Sequence, residues 1–172
     1  MTMAQPYMSY FLVGAVALAG MTGCAMDAEA KVRADVDRWV DIGATLYFDS
    51  RMSCTAGVFS LSSDEVKSTA VHAVTIREGL SILRRGETAK FQSNTLSPND
   101  ISAQVNSMDM SVGNGMIASG LAARDCLSDA WKDAYQAALV TQGATLIFQR
   151  EDNTLVLVDH ASRQVFFARG DV

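Results

Sequence analysis

The C-terminal end of the chain constrains the fold most. Three apolar runs, Thr145–Gln149, Thr154–Asp159 and residues 164–169, are separated by Arg150-Glu151-Asp152-Asn153 and His160-Ala161-Ser162-Arg163. The runs are rich in β-branched and aromatic residues, as strands are. Polar links this short cannot carry the crossover that parallel neighbours require, so the three strands must lie antiparallel, as a meander. The middle run, Leu155-Val156-Leu157-Val158, is apolar at consecutive positions and so on both faces. Such a strand belongs inside a sheet, with helices over at least one face.

Helical patterns lie upstream. In residues 27–41, Val32, Val36, Trp39 and Val40 fall on one helical face. Residues 45–48 and 56–61 read as extended, although the stripe from Val32 can also run on to Leu46 or Tyr47. Thr75-Ile76-Arg77-Glu78 is a capping box, followed by Ile76, Leu80 and Leu83 on one side and by Gly86 as a left-handed cap. Residues 89–92 suit a strand. Ser97-Pro98 opens a helix carrying Ile101, Val105 and Met108. Residues 113–120 are small and glycine-rich and read as loose. Residues 127–141 form a longer helix stopped by Gly143. The expectation is an α+β fold: an antiparallel sheet with a C-terminal three-stranded meander, covered by helices.

A length of 172 residues suits one domain plus a targeting segment. With 49% hydrophobic and 19% charged residues, apolar burial can offset chain entropy, which excludes wholesale disorder. Fourteen basic against 19 acidic residues leave a net charge of −5, so no positive field draws in nucleic acid. Two histidines and the lack of any Cys-x-x-Cys spacing argue against a zinc site, and no motif calls for a cofactor.

Residues 1–23 contain no Asp, Glu, Lys, Arg or His, and an apolar run extends from Tyr10 to Gly20. The run is short for a membrane span and right for the core of a signal peptide. It leads into Met21-Thr22-Gly23-Cys24, which resembles the lipobox of bacterial lipoproteins. An uncleaved anchor and a buried apolar helix are the other readings of the same run. The resemblance implies a signal peptide at 1–23, cleaved before Cys24. It also implies a diacylglyceryl thioether on Cys24 and acylation (palmitate) of the new amine; the length of the remainder, 24–172, suits a single globular domain, which export would place in the envelope. The membrane would then be a partner through the lipid. Ala25, rather than Asp, after the cysteine leans toward the outer membrane over the inner, with the domain facing the periplasm.

With Cys24 committed to lipid, Cys54 and Cys126 remain as an even pair in an oxidising compartment, which points to a disulfide. A reactive thiol at Cys54 is the alternative, with only Arg51 nearby to favour the thiolate. The helix of residues 27–41 starts about three residues after Cys24 without a Gly/Ser tether, which sets the domain close against the membrane.

Candidate chemistry is sparse. His72 lies in Ala-Val-His-Ala-Val, as a half-buried residue of an extended segment. His160 follows Asp159 and has Ser162 within reach. Gly113-x-Gly115-x-x-Ala118 is a degenerate dinucleotide-loop pattern without a βαβ frame. Arg84, Arg85 and Lys90 form a small basic patch, and Arg169-Gly170-Asp171 spells an adhesion tripeptide by chance. The carboxylate pairs Asp27/Glu29, Asp125/Asp129 and Glu151/Asp152 sit where caps and turns favour acids. The expected function is therefore a membrane-anchored lipoprotein with a non-catalytic binding or structural role, directed at an envelope protein or a small ligand. A small periplasmic hydrolase using His72 or His160 is one alternative. An envelope inhibitor or stress protein is the other.

Overall fold

The structure is a computed structural model describing residues 26–170. Its elements run α1 (Glu29–Asp37), β1 (Val40–Ser50), β2 (Cys54–Val66), β3 (Val71–Ala73), α2 (Ile76–Arg84), β4 (Ala89–Phe91), α3 (Pro98–Met108), α4 (Met110–Cys126), α5 (Asp129–Val140), β5 (Thr145–Gln149), β6 (Thr154–Asp159) and β7 (Gln164–Gly170). The seven strands form one sheet in the order β1-β2-β7-β6-β5-β4-β3. β5, β6 and β7 are adjacent and antiparallel, and β6 occupies the centre of the sheet.

The alternation along β6 explains its sequence. Leu155 and Leu157 join a core with α2–α5 on one face, together with Phe148, Phe166 and Met116. Val156 and Val158 join Val32, Val36 and Trp39 on the other face, beneath α1. Each strand position is buried because each face has a helical cover.

The sheet is mixed, not wholly antiparallel. β3 and β4 pair in parallel, Val71 with Ala89 and Ala73 with Phe91. The intervening chain includes α2 and is long enough for the crossover that a parallel pair needs. The sequence marks α2 well, since the Thr75 hydroxyl accepts from the Glu78 amide. The Glu78 carboxylate reaches one residue further back than a capping box requires, to the Val74 amide at 3.0 Å.

Two other expectations change. The stripe Val32, Val36, Trp39 and Val40 is buried throughout, yet α1 ends at Asp37. The Trp39 carbonyl accepts from the Lys67 amide and Val40 pairs with Val66, so strand pairing takes over from the helix. Residues 113–120 are not loose: they lie inside α4. A Cβ on Gly113 would stand 2.1 Å from Asn106 Cα, and one on Gly115 2.6 Å from Asn153 Oδ1. The glycines let α4 press against α3 and against the β5–β6 turn, at about 1 kcal/mol of helix propensity each. Met108, expected in the core, is half exposed at the end of α3.

Cys54, at the start of β2, is disulfide-bonded to Cys126, at the end of α4, with a Cα–Cα distance of 6.0 Å. The bond joins the sheet to its helical layer. No helix among the described residues is long and apolar enough to cross a membrane.

Candidate functional site: a cleft between three helices

An opening with an apolar floor lies between α3, α4 and α5. Ser97 and Asp100 fix the start of α3 through a reciprocal capping box, which sets Asn99 and Ser102 along one wall. On α4, Ile117, Leu121 and Arg124 follow one another at helical spacing and project into the opening. Gln136 and Leu139 of α5 form the opposite wall, and the buried side chains of Met116 and Leu155 form the floor. The cleft encloses about 240 Å³. Leu121 and Arg124 also line a shallower basin with Asp125 and Lys132. The two depressions therefore follow each other along α4.

Tyr135 ties α5 to α4. Its hydroxyl donates to the Gly120 carbonyl at 3.1 Å, and its ring packs edge-on against Phe166. Burial pushes this phenol well above its ordinary range, so it stays neutral and keeps its proton to donate. The Ser102 hydroxyl donates to the Pro98 carbonyl. Lys132 pairs with Asp129 at 2.8 Å. Arg124, in contrast, enters none of the ion pairs or side-chain hydrogen bonds among the described residues. The cleft thus combines apolar walls with an uncommitted guanidinium at the rim. That chemistry suits an apolar body bearing an anionic or acceptor group. The 240 Å³ lining contains no His, Cys or carboxylate.

The residues singled out in the sequence go elsewhere. His72 is exposed on β3, not half-buried, and pairs in register with Lys90. His160 Nε2 lies 3.1 Å from Thr145 Oγ1, and its Nδ1 lies 3.5 Å from Asp64 Oδ1. This resembles an acid–base–hydroxyl chain, but Thr145 is completely buried, so no substrate carbonyl can reach its oxygen. Ser162 is not presented to His160. Its hydroxyl donates to Asp159 at 2.6 Å and closes the β6–β7 turn.

The Gly113-x-Gly115 pattern is helix interior and offers no phosphate-binding loop. Arg84 pairs with Asp109 at 2.7 Å and Arg85 with Glu87, leaving no free basic patch with Lys90. Asp109 also caps α4 by accepting from Ser111 and Val112 amides. The Arg84 guanidinium, helped by the Ser111 hydroxyl, holds its carboxyl down at about 2. Of the proposed carboxylate pairs, Asp27 and Asp152 both bond to Arg169, at 2.8 and 2.7 Å, and Asp129 bonds to Lys132. The arginine of the adhesion tripeptide is therefore engaged in holding the fold. Among the described residues no group of three or more His, Cys, Asp or Glu side chains could hold a metal ion. Cys24 lies outside the described residues.

Sequence reasoning missed the cleft because its lining comes from four elements. The one available signal was Leu121, an exposed leucine on a helix face beside Arg124. Leu121 joins Ile117 and Arg124 on one face only because residues 113–120 are helical. Comparison of the chain with protein-family models, with curated proteins and with solved structures yields no match in any of the three.

Proposed function

We propose that this chain is a lipid-anchored protein of the bacterial envelope whose domain works by binding, with the α3–α4–α5 cleft as its recognition site. The observation that carries the binding role is the uncommitted Arg124 at the rim of an apolar cleft. The leader ending in Met21-Thr22-Gly23-Cys24 and the pairing of the other two cysteines support the compartment. The ligand class is a small amphiphile: an apolar segment against Met116, Leu139 and Leu155, with an acidic head toward Arg124 and Gln136. Attachment through Cys24 joins the domain to the membrane, with the outer membrane favoured.

The test uses the full chain, produced in a lipoprotein-exporting bacterium and held in nanodiscs, with labelled methionine methyls. Met116 reports on the cleft floor, while the exposed Met110, outside the lining, reports on unrelated surface. Octanoate, octanol and octylammonium are titrated in turn. Octanoate should move Met116 in a saturable way and bind most tightly. Arg124→Gln should weaken octanoate about tenfold, the loss of one charge-assisted hydrogen bond, and leave octanol unchanged. A Met116 signal indifferent to all three, or shifts insensitive to Arg124, would overturn the binding role. Mass measurement of the mature chain tests the anchor: it must begin at Cys24 and carry acyl mass.

A further inference from the structure

We infer that the end of the sheet formed by the β1–β2 hairpin tip, residues 51–53, together with Met26, lies against the lipid surface. This rests on the lipid-anchored reading of Cys24 and adds to it the face that the domain turns toward the bilayer.

The geometry begins at Asp27. Its carboxylate accepts from Arg169 at 2.8 Å and from the Thr55 hydroxyl at 2.9 Å, and its amide donates to Ser50 Oγ at 2.9 Å. Arg169 and Asp27 are both largely shielded from solvent. The entering chain is therefore fixed to the last residue of β1, the start of β2 and the end of β7. Cys24 precedes Asp27 by three residues. Three residues span at most about 11 Å. A lipid on Cys24 thus holds this end of the sheet within that distance of the headgroups, and no long linker allows the domain to tumble.

The side chains at this end suit the position. Met52, at the hairpin tip, is 75% exposed and Met26 is 63% exposed. Met52 lines a shallow depression together with Asp27, Arg51 and Arg169, and Met26 directly precedes Asp27 in the chain. The carboxylates here are partly offset by neighbouring cations: Asp49 pairs with Arg51 at 2.7 Å, Asp27 and Asp152 share Arg169, and Lys31 stands 3.9 Å from Asp27. A chain of net charge −5 thereby turns toward the membrane an end where Asp27, Asp49 and Asp152 each meet a cation and where Met26 and Met52 stand out as exposed apolar side chains. Val74, also 75% exposed, follows β3 at the opposite end of the strands and is the matched control.

The full chain is exported, purified and reconstituted into phosphatidylethanolamine–phosphatidylglycerol vesicles with bromine on shallow acyl carbons. Met52→Trp and Val74→Trp are compared, with the emission of the unsubstituted protein, from Trp39 and Trp131, subtracted. Tryptophan at 52 should lose roughly half of its added emission to the bromolipid, as expected for a side chain at interfacial depth, and tryptophan at 74 should lose none. A lipid-bearing Cys24 with no greater quenching at 52 than at 74 overturns this inference and leaves the anchor standing. A chain without acyl mass on Cys24 overturns the anchor, and the inference with it.

Discussion

Reducing the Cys54–Cys126 bond perturbs the unfolded chain far more than the folded one. The bond joins residues 72 apart in sequence. The chain-entropy relation gives about 15 cal/mol/K for a loop of this length, or about 4 kcal/mol at 25 °C. The native side should change little, because β2 and α4 meet through buried contacts that do not need the bond: Ala56, Val58 and Ala123 share one core with Met116 and Tyr135. Urea unfolding of the full chain in detergent, with and without reductant, measures the difference. At a slope of about 2 kcal/mol/M the midpoint should fall by about 2 M, and the slope should rise because the unlinked chain unfolds further. The near-ultraviolet spectrum of the Tyr135–Phe166 pair should be the same in both forms before urea is added. A midpoint shift below about 0.5 M at constant slope would refute the loop-entropy argument. A spectrum that collapses on reduction alone would show that the bond acts on native packing.

Gly113→Ala should destabilise by about 2 kcal/mol despite the gain in helix propensity, because the added carbon meets the Asn106 backbone; Asn114→Ala, on the exposed side of α4, should stay within about 0.5 kcal/mol in the same melts. Asp109 has a folded pKa lowered from 3.8 to about 2, so its contribution is complete above about pH 4 and is lost as pH falls toward 2; Asp109→Asn should flatten the fall in melting temperature across that window. Arg169→Met leaves Asp27 shielded with only the more distant Lys31 as a cation, and should cost about 2 kcal/mol in urea unfolding while speeding proteolysis at the N-terminal segment.

The meander was legible because its information is local: strand length, polar turns and two-sided apolarity all lie within one stretch of chain. The same holds for α2 and α3, whose caps Thr75 and Ser97 act on their own helices. The disulfide was legible by counting, once Cys24 was set aside. Long-range partners were not. Val40 ends a helical stripe by pattern and begins a strand by pairing with Val66, and nothing near residue 40 announces that competition. The glycines of α4 look like loop until Asn106 and Asn153 are placed beside them. The cleft inherits that blindness, since Ile117, Leu121 and Arg124 share a face only if residues 113–120 are helical. His160 is the converse case: its neighbours offer acid–base chemistry, but the burial of Thr145 cannot be read from the residues around it.

The disulfide found among the described residues lies at one end of the sheet. The start of β2 and the end of β7 meet where Cys54 pairs with Gly170 and Thr55 with Arg169. At this same end Cys54 is bonded to Cys126, and Arg169 gathers Asp27 and Asp152 while packing over the Phe167 ring. The chain enters the fold here, at Asp27. A force applied through residue 24 would therefore pass through Asp27 to Arg169 and into β7, one strand from the centre of the sheet, instead of peeling α1 from its face. It would pass through Thr55 into β2, and from Cys54 across the disulfide into the helical layer. The opposite end, with the His160–Arg163 turn and the exposed Val74, has no covalent link among the described residues. That end is held by ion pairs instead, Lys67 with Asp41 at 2.6 Å and Arg163 with Asp64 at 3.4 Å, so it is the disulfide that sets apart the end where the chain enters.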